Sequence, residues 1–179
     1  MEYYITDTHC HITCDMLYDQ IEDIISHAKE NHIKRMLVVC TNFNEYNRAV
    51  KLKEKEPKLF DIALGFHPND LYKFSEEDYT NLESLVQNDK LIAIGEIGLD
   101  YHWDDVTRED QILGFRRQIE LAKKYEKPIL IHMREATKDT IDILKEYTPL
   151  KGIIHCYSGS YETAQELMKM GFYLSLIHI

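Results

Sequence analysis

The chain has 179 residues, which is enough for one domain with a sizeable hydrophobic core. Hydrophobic residues make up 44% of it and charged residues 29%, the proportions of an ordinary globular protein. The formal net charge of -10 argues against a broad surface that coats nucleic acid. It does not exclude a local phosphate site, because bound divalent cations supply positive charge of their own.

The sequence shows no sign of export or membrane insertion. No apolar run approaches the roughly 20 residues of a membrane-spanning helix, and the N-terminus has neither a basic region nor a signal-like core. The four cysteines form no Cys-x-x-Cys pair, which fits reduced thiols. We therefore expect a cytoplasmic protein with no membrane partner and no evident protein partner.

Strand-like and helix-like patterns alternate along the chain, with apolar residues at strand or helix spacing in turn. The predicted strands cover residues 3–8, 36–40, 59–64, 91–94, 128–131 and 152–154, and a seventh strand begins at 172. The predicted helices cover about 17–28, 45–56, 75–86, 107–122, 141–147 and 161–170. Ser75 and Thr107 are predicted caps, and Pro57 and Gly171 mark helix ends.

This alternation, with nearly continuous apolar strands, indicates a parallel sheet covered by helices. An open doubly wound sheet and a closed (β/α)₈ TIM barrel both satisfy it. Several polar residues are predicted just past the C-terminal ends of strands, which converge on one mouth only in a barrel; they are His9, His11, His67, Glu96, His132 and His155. We predict an α/β TIM barrel, incomplete here, with strands one to seven present and the eighth missing.

The same residues predict a metal centre. His9 and His11 are two positions apart in a strand, so their imidazoles share one face. Further donors follow on other strands, namely Glu96, His132 and His155. Imidazoles with a carboxylate suit Zn, Mn, Fe or Co better than Ca. Because the donors exceed one tetrahedral site, we expect two divalent ions that share Glu96, an arrangement typical of hydrolysis.

Four ordered runs in the chain resemble the motifs of the TatD family of metal-dependent DNases, which are amidohydrolase-like TIM barrels. The runs are HCH at 9–11, GEIGLDY at 95–101, HMREA at 132–136 and HCYSG at 155–159. The resemblance implies a divalent-metal phosphodiesterase (with Mg, Mn or Zn) that acts on DNA, often as a 3′-to-5′ exonuclease on single strands or 3′ ends. It also implies that His9 and His11 hold one metal, that His132 and His155 hold the other, and that Glu96 bridges them.

Further residues are candidates for catalysis and substrate binding. By the resemblance, His67 lies near the scissile phosphate; the alternative is that it packs a loop. Arg134 should face the same way as His132 and clamp a phosphate, unless it pairs with Glu135 or Asp100. Asp100 is expected to orient a ligand imidazole and to border the substrate. Tyr101, with Trp103, is a candidate to stack a base, although loop aromatics often only pack the loop.

The pattern departs from the resemblance at its end. The family barrel has an eighth strand that ends in an aspartate, and nothing in this chain obviously replaces it; His178 is the only late candidate. We expect residues 1–173 to form the partial barrel. Residues 174–179, LSLIHI, read as the translation of a sequencing-transposon end, so we expect an adapter-derived tail. Such a shortened chain is expected to be weakly active or inactive.

Two other functions stay open. One is an amidohydrolase that cleaves a C–N bond in a cyclic amide or nucleobase, although Glu96 stands where such enzymes use a carboxylated lysine. The other is a metal-binding fragment without turnover.

Overall fold

The computed structural model describes residues 3–176, which form one curled sheet of seven parallel strands, a half-barrel, with helices outside it. The strands lie in chain order, with β1 and β7 at the edges. They are β1 (Ile5–Cys10), β2 (Ile33–Cys40), β3 (Phe60–Leu64), β4 (Ala93–Asp100), β5 (Ile129–Arg134), β6 (Gly152–Tyr157) and β7 (Phe172–Leu176). The predicted α/β fold of TIM-barrel type is confirmed.

Six α-helices connect the strands of the described chain: α1 (Ile21–Glu30), α2 (Phe43–Lys55), α3 (Glu76–Gln87), α4 (Arg108–Lys124), α5 (Thr137–Tyr147) and α6 (Tyr161–Lys169). A short 3₁₀ helix (Pro68–Lys73) follows β3. The cap predictions are confirmed: Ser75 and Asp78 form a capping box, and Thr107 accepts a hydrogen bond from the backbone N–H of Asp110. No helix within residues 3–176 combines the length and apolar character needed to cross a bilayer.

Alternation along the strands divides the core into two layers. Outward-facing residues such as Val38, Ile62 and Ile94 belong to the large cluster that packs against the helices. The residues between them form a separate, smaller cluster, composed of Val39, Ala63, Ala93 and Leu130. Two of these four are alanines, so the inner face is filled by smaller side chains than the outer one.

The prediction that the six polar site residues lie just past the strand ends is wrong for four of them. His9, Glu96, His132 and His155 lie inside β1, β4, β5 and β6, whereas His11 and His67 do follow their strands. The strands run further than expected because pairing continues: β4 stays in register with β5 from Ile97–Ile131 to Asp100–Arg134.

Glycine makes this extended pairing of β4 and β5 possible. Gly98 has a φ of +144°, and a Cβ there would lie 2.0 Å from the carbonyl oxygen of His132. Only a residue without a side chain permits that approach. The end of β4 that carries Glu96 and Asp100 therefore lies directly against the end of β5 that carries His132.

Part of the predicted tail lies in the fold. Residues 174–176 belong to β7, whereas residues 177–179, His178 among them, lie outside the described residues. The adapter origin of this segment and the boundary at residue 173 stay predictions.

Candidate metal centre

Glu96 lies at the centre of the site and is only 4% exposed. Its Oε2 is 3.4 Å from Nε2 of His9 and 3.6 Å from Nε2 of His11. Its Oε1 faces the other way, 3.2 Å from Nδ1 of His132. A carboxylate whose two oxygens face different imidazoles has the arrangement of a bridging metal ligand.

We call His9, His11 and His155 the β1 side of the site. The rings of His9 and His155 stack with their centroids 3.4 Å apart and an interplanar angle of 10°. These residues come from β1 and β6, which are not neighbours in the sheet. The stack therefore shows that the sheet curls enough to bring distant strand ends together, as the convergence argument predicted.

Hydrogen bonding fixes the tautomer of one imidazole on the β1 side. Nδ1 of His11 lies 2.9 Å from the carbonyl oxygen of Val39. Because a carbonyl only accepts, this nitrogen carries the hydrogen, and in the neutral ring Nε2 presents its lone pair toward Glu96. The Nε2 atoms of His9 and His11 are 3.1 Å apart. Two imidazole nitrogens that were predicted to be metal ligands thus lie close together beside the carboxylate.

We call His132, Asp100, Asn69 and His67 the β5 side of the site. Nε2 of His132 lies 2.9 Å from Oδ2 of Asp100, which is 1% exposed. Asn69 donates from Nδ2 to the same oxygen at 3.0 Å. The ring of His67 lies 4.4 Å from that of His132, centroid to centroid. The predicted role of Asp100 as a support for a ligand imidazole has the required contact.

The electrostatics of the site divide its imidazoles into two kinds. A hydrogen bond from His11 to Glu96 raises the pKa of His11. Burial lowers the pKa of His132, but the carboxylates of Glu96 and Asp100 together outweigh burial and raise it. Burial lowers the pKa of His67 and of His155 to about 4, helped by the neighbouring imidazoles. Burial opposes ionisation of Glu96, but its hydrogen bonds with the histidines outweigh burial and lower its pKa.

These donors fit a divalent cation. One group of possible ligand atoms joins His9, Glu96 and His155, and another joins His67, Asp100 and His132. Nδ1 of His155 is buried and has no hydrogen-bond partner among residues 3–176. Buried polar atoms are normally paired, so this nitrogen and the close Nε2 pair are explained by an ion that accepts their lone pairs.

Comparison with known proteins agrees with this chemistry. The profile described as "TatD related DNase" matches residues 6–179. The chain belongs to the TatD family. The chain is 42% identical over 171 residues to an uncharacterized metal-dependent hydrolase, YabD, of Bacillus subtilis, covering 94% of this chain and 67% of that protein.

Two further matches extend the family assignment. The chain is 32% identical to the uncharacterized metal-dependent hydrolase YcfH of Escherichia coli, covering 96% of this chain and 66% of that one. The crystal structure of YJJV, a TatD homologue from Escherichia coli, superposes with a TM-score of 0.86 at 28% identity, covering 95% of this chain and 66% of that chain. This TatD-family chain thus spans about two thirds of the length of the relatives it matches.

The grouping of ligands differs from the pairing that the resemblance implied. The resemblance implies that His155 shares a metal with His132, yet its ring stacks on His9 and its possible ligand atom groups with those of His9 and Glu96. His132 instead lies between Glu96 and Asp100. The structure brings all five predicted ligands to one mouth; which ion each one holds stays a prediction.

Arg134 ends β5 at the rim of the site and is exposed. It lies in no ion pair with the residues that the structure describes. Of the two alternative partners, Glu135 contacts His102 at 2.8 Å and Asp100 contacts His132. The guanidinium carbon lies 5.8 Å from the ring centre of Trp103, so the cation is left available beside an aromatic ring.

Tyr101 and Trp103 differ in how far they are engaged. The hydroxyl of Tyr101 donates to Asp139 at 2.8 Å, and the guanidinium of Arg108 covers its ring at 4.3 Å. Trp103 is 51% exposed. The structure therefore engages Tyr101 in packing and leaves Trp103 as the better placed of the two for base stacking.

Sequence reasoning missed two side chains that support the site. Gln111 on α4 is buried, and its amide bonds both the backbone N–H and the carbonyl of Asp100 at 2.8 Å. Asn69 bonds the carboxylate of Asp100. Gln111 could have been found from the sequence, because an amide on the buried face of a helix needs a hydrogen-bond partner. For Asn69 the only signal was its closeness in sequence to His67.

Proposed function

We propose that this chain is the catalytic part of a divalent-metal-dependent deoxyribonuclease that hydrolyses phosphodiesters, removing nucleotides from the 3′ end. One observation carries the proposal: the carboxylate of Glu96 lies between imidazoles from β1 and β5 at a single mouth. This is the donor arrangement for two ions that share a carboxylate, and such pairs hydrolyse phosphodiesters. The choice of DNA and of the 3′ end comes from the family resemblance.

The rim of the site supports an anionic, aromatic substrate. Arg134 is an exposed guanidinium without an ion-pair partner in residues 3–176, and it lies beside the half-exposed ring of Trp103. A guanidinium clamps phosphate with two parallel hydrogen bonds, and an indole stacks an unpaired base. A neutral cyclic amide would leave the guanidinium of Arg134 without an anion to bind.

The chain's own residues divide the work in this proposal. Bound divalent ions would supply Lewis acidity and neutralise charge on the phosphate. Glu96, His9, His11, His132 and His155 hold those ions. Nδ1 of His67 accepts a hydrogen bond from the backbone N–H of Asn69. In the neutral ring the hydrogen is therefore on Nε2, which can donate a hydrogen bond to a phosphate oxygen. Arg134 binds a phosphate and Asp100 keeps His132 in place.

The experiment that tests this proposal uses 5′-labelled single-stranded DNA with Mg²⁺, Mn²⁺ or Zn²⁺. We expect a faint ladder of products shortened from the 3′ end, in keeping with the weak activity expected of a partial barrel. Glu96→Gln should lower the rate by more than the roughly 100-fold that loss of a residue supporting a metal ligand costs. Glu54→Gln, on the exposed face of α2, makes the same chemical change away from the site and should leave the rate unchanged.

Other outcomes select other functions. Hydrolysis of small cyclic amides without hydrolysis of DNA would support the amidohydrolase alternative. Stoichiometric uptake of metal without cleavage of any ester or amide would support a metal-binding fragment. Cleavage of DNA by Glu96→Gln at the parent rate would contradict the proposed role of the carboxylate.

A further inference from the structure

Asn69 lies in the first turn of the 3₁₀ helix after β3 and is linked to both histidines of the β5 side. Its backbone N–H bonds His67, and its side chain bonds Asp100, which contacts His132. We propose that Asn69 is a positioning residue that fixes the tautomers of His132 and His67. The inference rests on the proposed function in one respect: it takes His132 as a metal ligand. Asn69 lies outside the four sequence runs at 9–11, 95–101, 132–136 and 155–159.

The side chain of Asn69 acts on His132 through a shared oxygen. A carboxylate only accepts hydrogen bonds, so the group of Asn69 that faces Asp100 at 3.0 Å is its Nδ2 donor. The same Oδ2 accepts from Nε2 of His132 at 2.9 Å. With its hydrogen held on Nε2, the neutral imidazole presents the lone pair of Nδ1 toward Oε1 of Glu96, where an ion would bind.

Asn69 keeps this orientation at a cost. Its other amide atom, Oδ1, is buried and has no hydrogen-bond partner in residues 3–176. A buried acceptor without a partner is unfavourable. Flipping the amide would turn Oδ1 toward the carboxylate of Asp100 and lose the bond that orients it. The amide of Asn69 is therefore oriented by its hydrogen bond to the carboxylate of Asp100.

The backbone of Asn69 acts on His67 independently of the side chain. Its N–H donates to Nδ1 of His67, with the two nitrogens 3.3 Å apart. An N–H cannot accept, so this nitrogen carries no hydrogen and Nε2 carries it instead. One residue thus assigns hydrogens on two imidazoles whose rings are 4.4 Å apart, and only the link to His132 depends on the Asn69 side chain.

This division gives a sharp test with Asn69→Leu, which keeps the approximate volume and the backbone N–H but removes the side-chain donor together with the unpaired Oδ1. In the metal-free, unaltered chain at alkaline pH, nitrogen NMR should show the hydrogen on Nε2 of both His132 and His67. In Asn69→Leu, His132 should become a mixture of tautomers while His67 stays unchanged. Affinity for Mn²⁺ by titration calorimetry should fall by about 10- to 100-fold.

Asn47→Leu, on the exposed face of α2, is the matched control and should change none of these readings. Asn69→Asp preserves the shape and places a second acceptor against Asp100, so it should weaken Mn²⁺ binding at least as much. The inference is overturned if His132 carries its hydrogen on Nδ1 in the unaltered chain. It is also overturned if both Asn69 variants bind Mn²⁺ like the parent. Neither the NMR measurement nor the Mn²⁺ titration uses DNA. Failure of this inference and failure of the nuclease proposal can therefore be told apart.

Discussion

The β1 side and the β5 side of the site are built differently around the same carboxylate. On the β5 side, both nitrogens of His132 face carboxylate oxygens, those of Glu96 and Asp100, and Asp100 accepts a further hydrogen bond from Asn69. On the β1 side, Nδ1 of His155 has no partner among the described residues. Oδ1 of Asn69 on the β5 side also lacks a partner within residues 3–176, but it is not a predicted metal ligand. The predicted ligand of the β5 side, His132, is therefore positioned by protein contacts alone, whereas the β1 side has a predicted ligand nitrogen that an ion would pair with.

This difference predicts opposite responses when each side is altered. Changes on the β5 side should damage the metal-free protein, because they break bonds that already exist there. Changes on the β1 side should damage mainly metal binding, because its donors contribute less to the metal-free fold. The free energy of unfolding of the metal-free chain, measured beside its metal affinity, separates the two.

The largest expected effect on the metal-free protein comes from Asp100→Asn. Asp100 accepts from His132 and Asn69 at Oδ2 and from the backbone N–H of His102 at Oδ1. An amide has only one oxygen, so its NH₂ must face donors on one side or the other. We expect unfolding to become easier by about 1–3 kcal/mol, measured by urea titration, and metal affinity to fall by about 10- to 100-fold.

Asp139→Asn is a matched control for this prediction. Asp139 makes the same type of contact, accepting from the hydroxyl of Tyr101 at 2.8 Å, but an asparagine oxygen can keep that single bond. We expect a smaller loss of stability and unchanged metal affinity. An Asp100→Asn protein as stable as the parent would contradict the view that the β5 side is organised without metal.

A smaller effect, of opposite sign, is expected for His155→Phe on the β1 side. Phenylalanine can keep the stack on His9, whose ring lies 3.4 Å away, and it removes the buried Nδ1 that lacks a partner. The metal-free chain should become more stable by about 1 kcal/mol. Calorimetry should show weaker or fewer bound Mn²⁺ ions. If His155→Phe lost as much stability as Asp100→Asn, the proposed difference between the β1 side and the β5 side would be contradicted.

The sequence predicted those parts of the site that depend on local pattern. Strand alternation alone placed His9 and His11 on one face, and both Nε2 atoms do approach the same oxygen of Glu96. Helix periodicity and caps were equally local, which is why the capping box of Ser75 and Asp78 was predictable. The alternation of elements was enough for the fold class.

What the sequence did not predict depends on contacts between distant residues. The length of β4, which ends at Asp100, depends on its pairing with β5, which begins only at Ile129. Asn69 meets Asp100 across 31 positions, and nothing local to Asn69 indicates that contact. The stack of His9 on His155 requires the curvature of the whole sheet. Such features follow from tertiary structure rather than from periodicity.

The smallest effect that still tests the comparison is the pH dependence of stability without metal. Each side has one histidine with a raised pKa, His11 or His132, and one with a pKa lowered to about 4, His155 or His67. A raised pKa stabilises below the ordinary value of 6.5, and that contribution is lost as pH rises through the folded-state pKa. A lowered pKa has the opposite effect, because the unfolded chain takes up the proton first as pH falls from 6.5 toward 4.

These four groups therefore favour a maximum of metal-free stability near pH 6.5, with losses on both sides of it. Saturating Mn²⁺ should remove the alkaline loss, because ligand imidazoles must be neutral and metal binding strengthens as they deprotonate. Urea midpoints measured against pH, with chelator and with Mn²⁺, test this. His155→Phe should reduce the acid loss without changing the alkaline one. If His155→Phe changed the loss of stability at alkaline pH instead, the β1 side and the β5 side would be coupled through Glu96 and would not act independently.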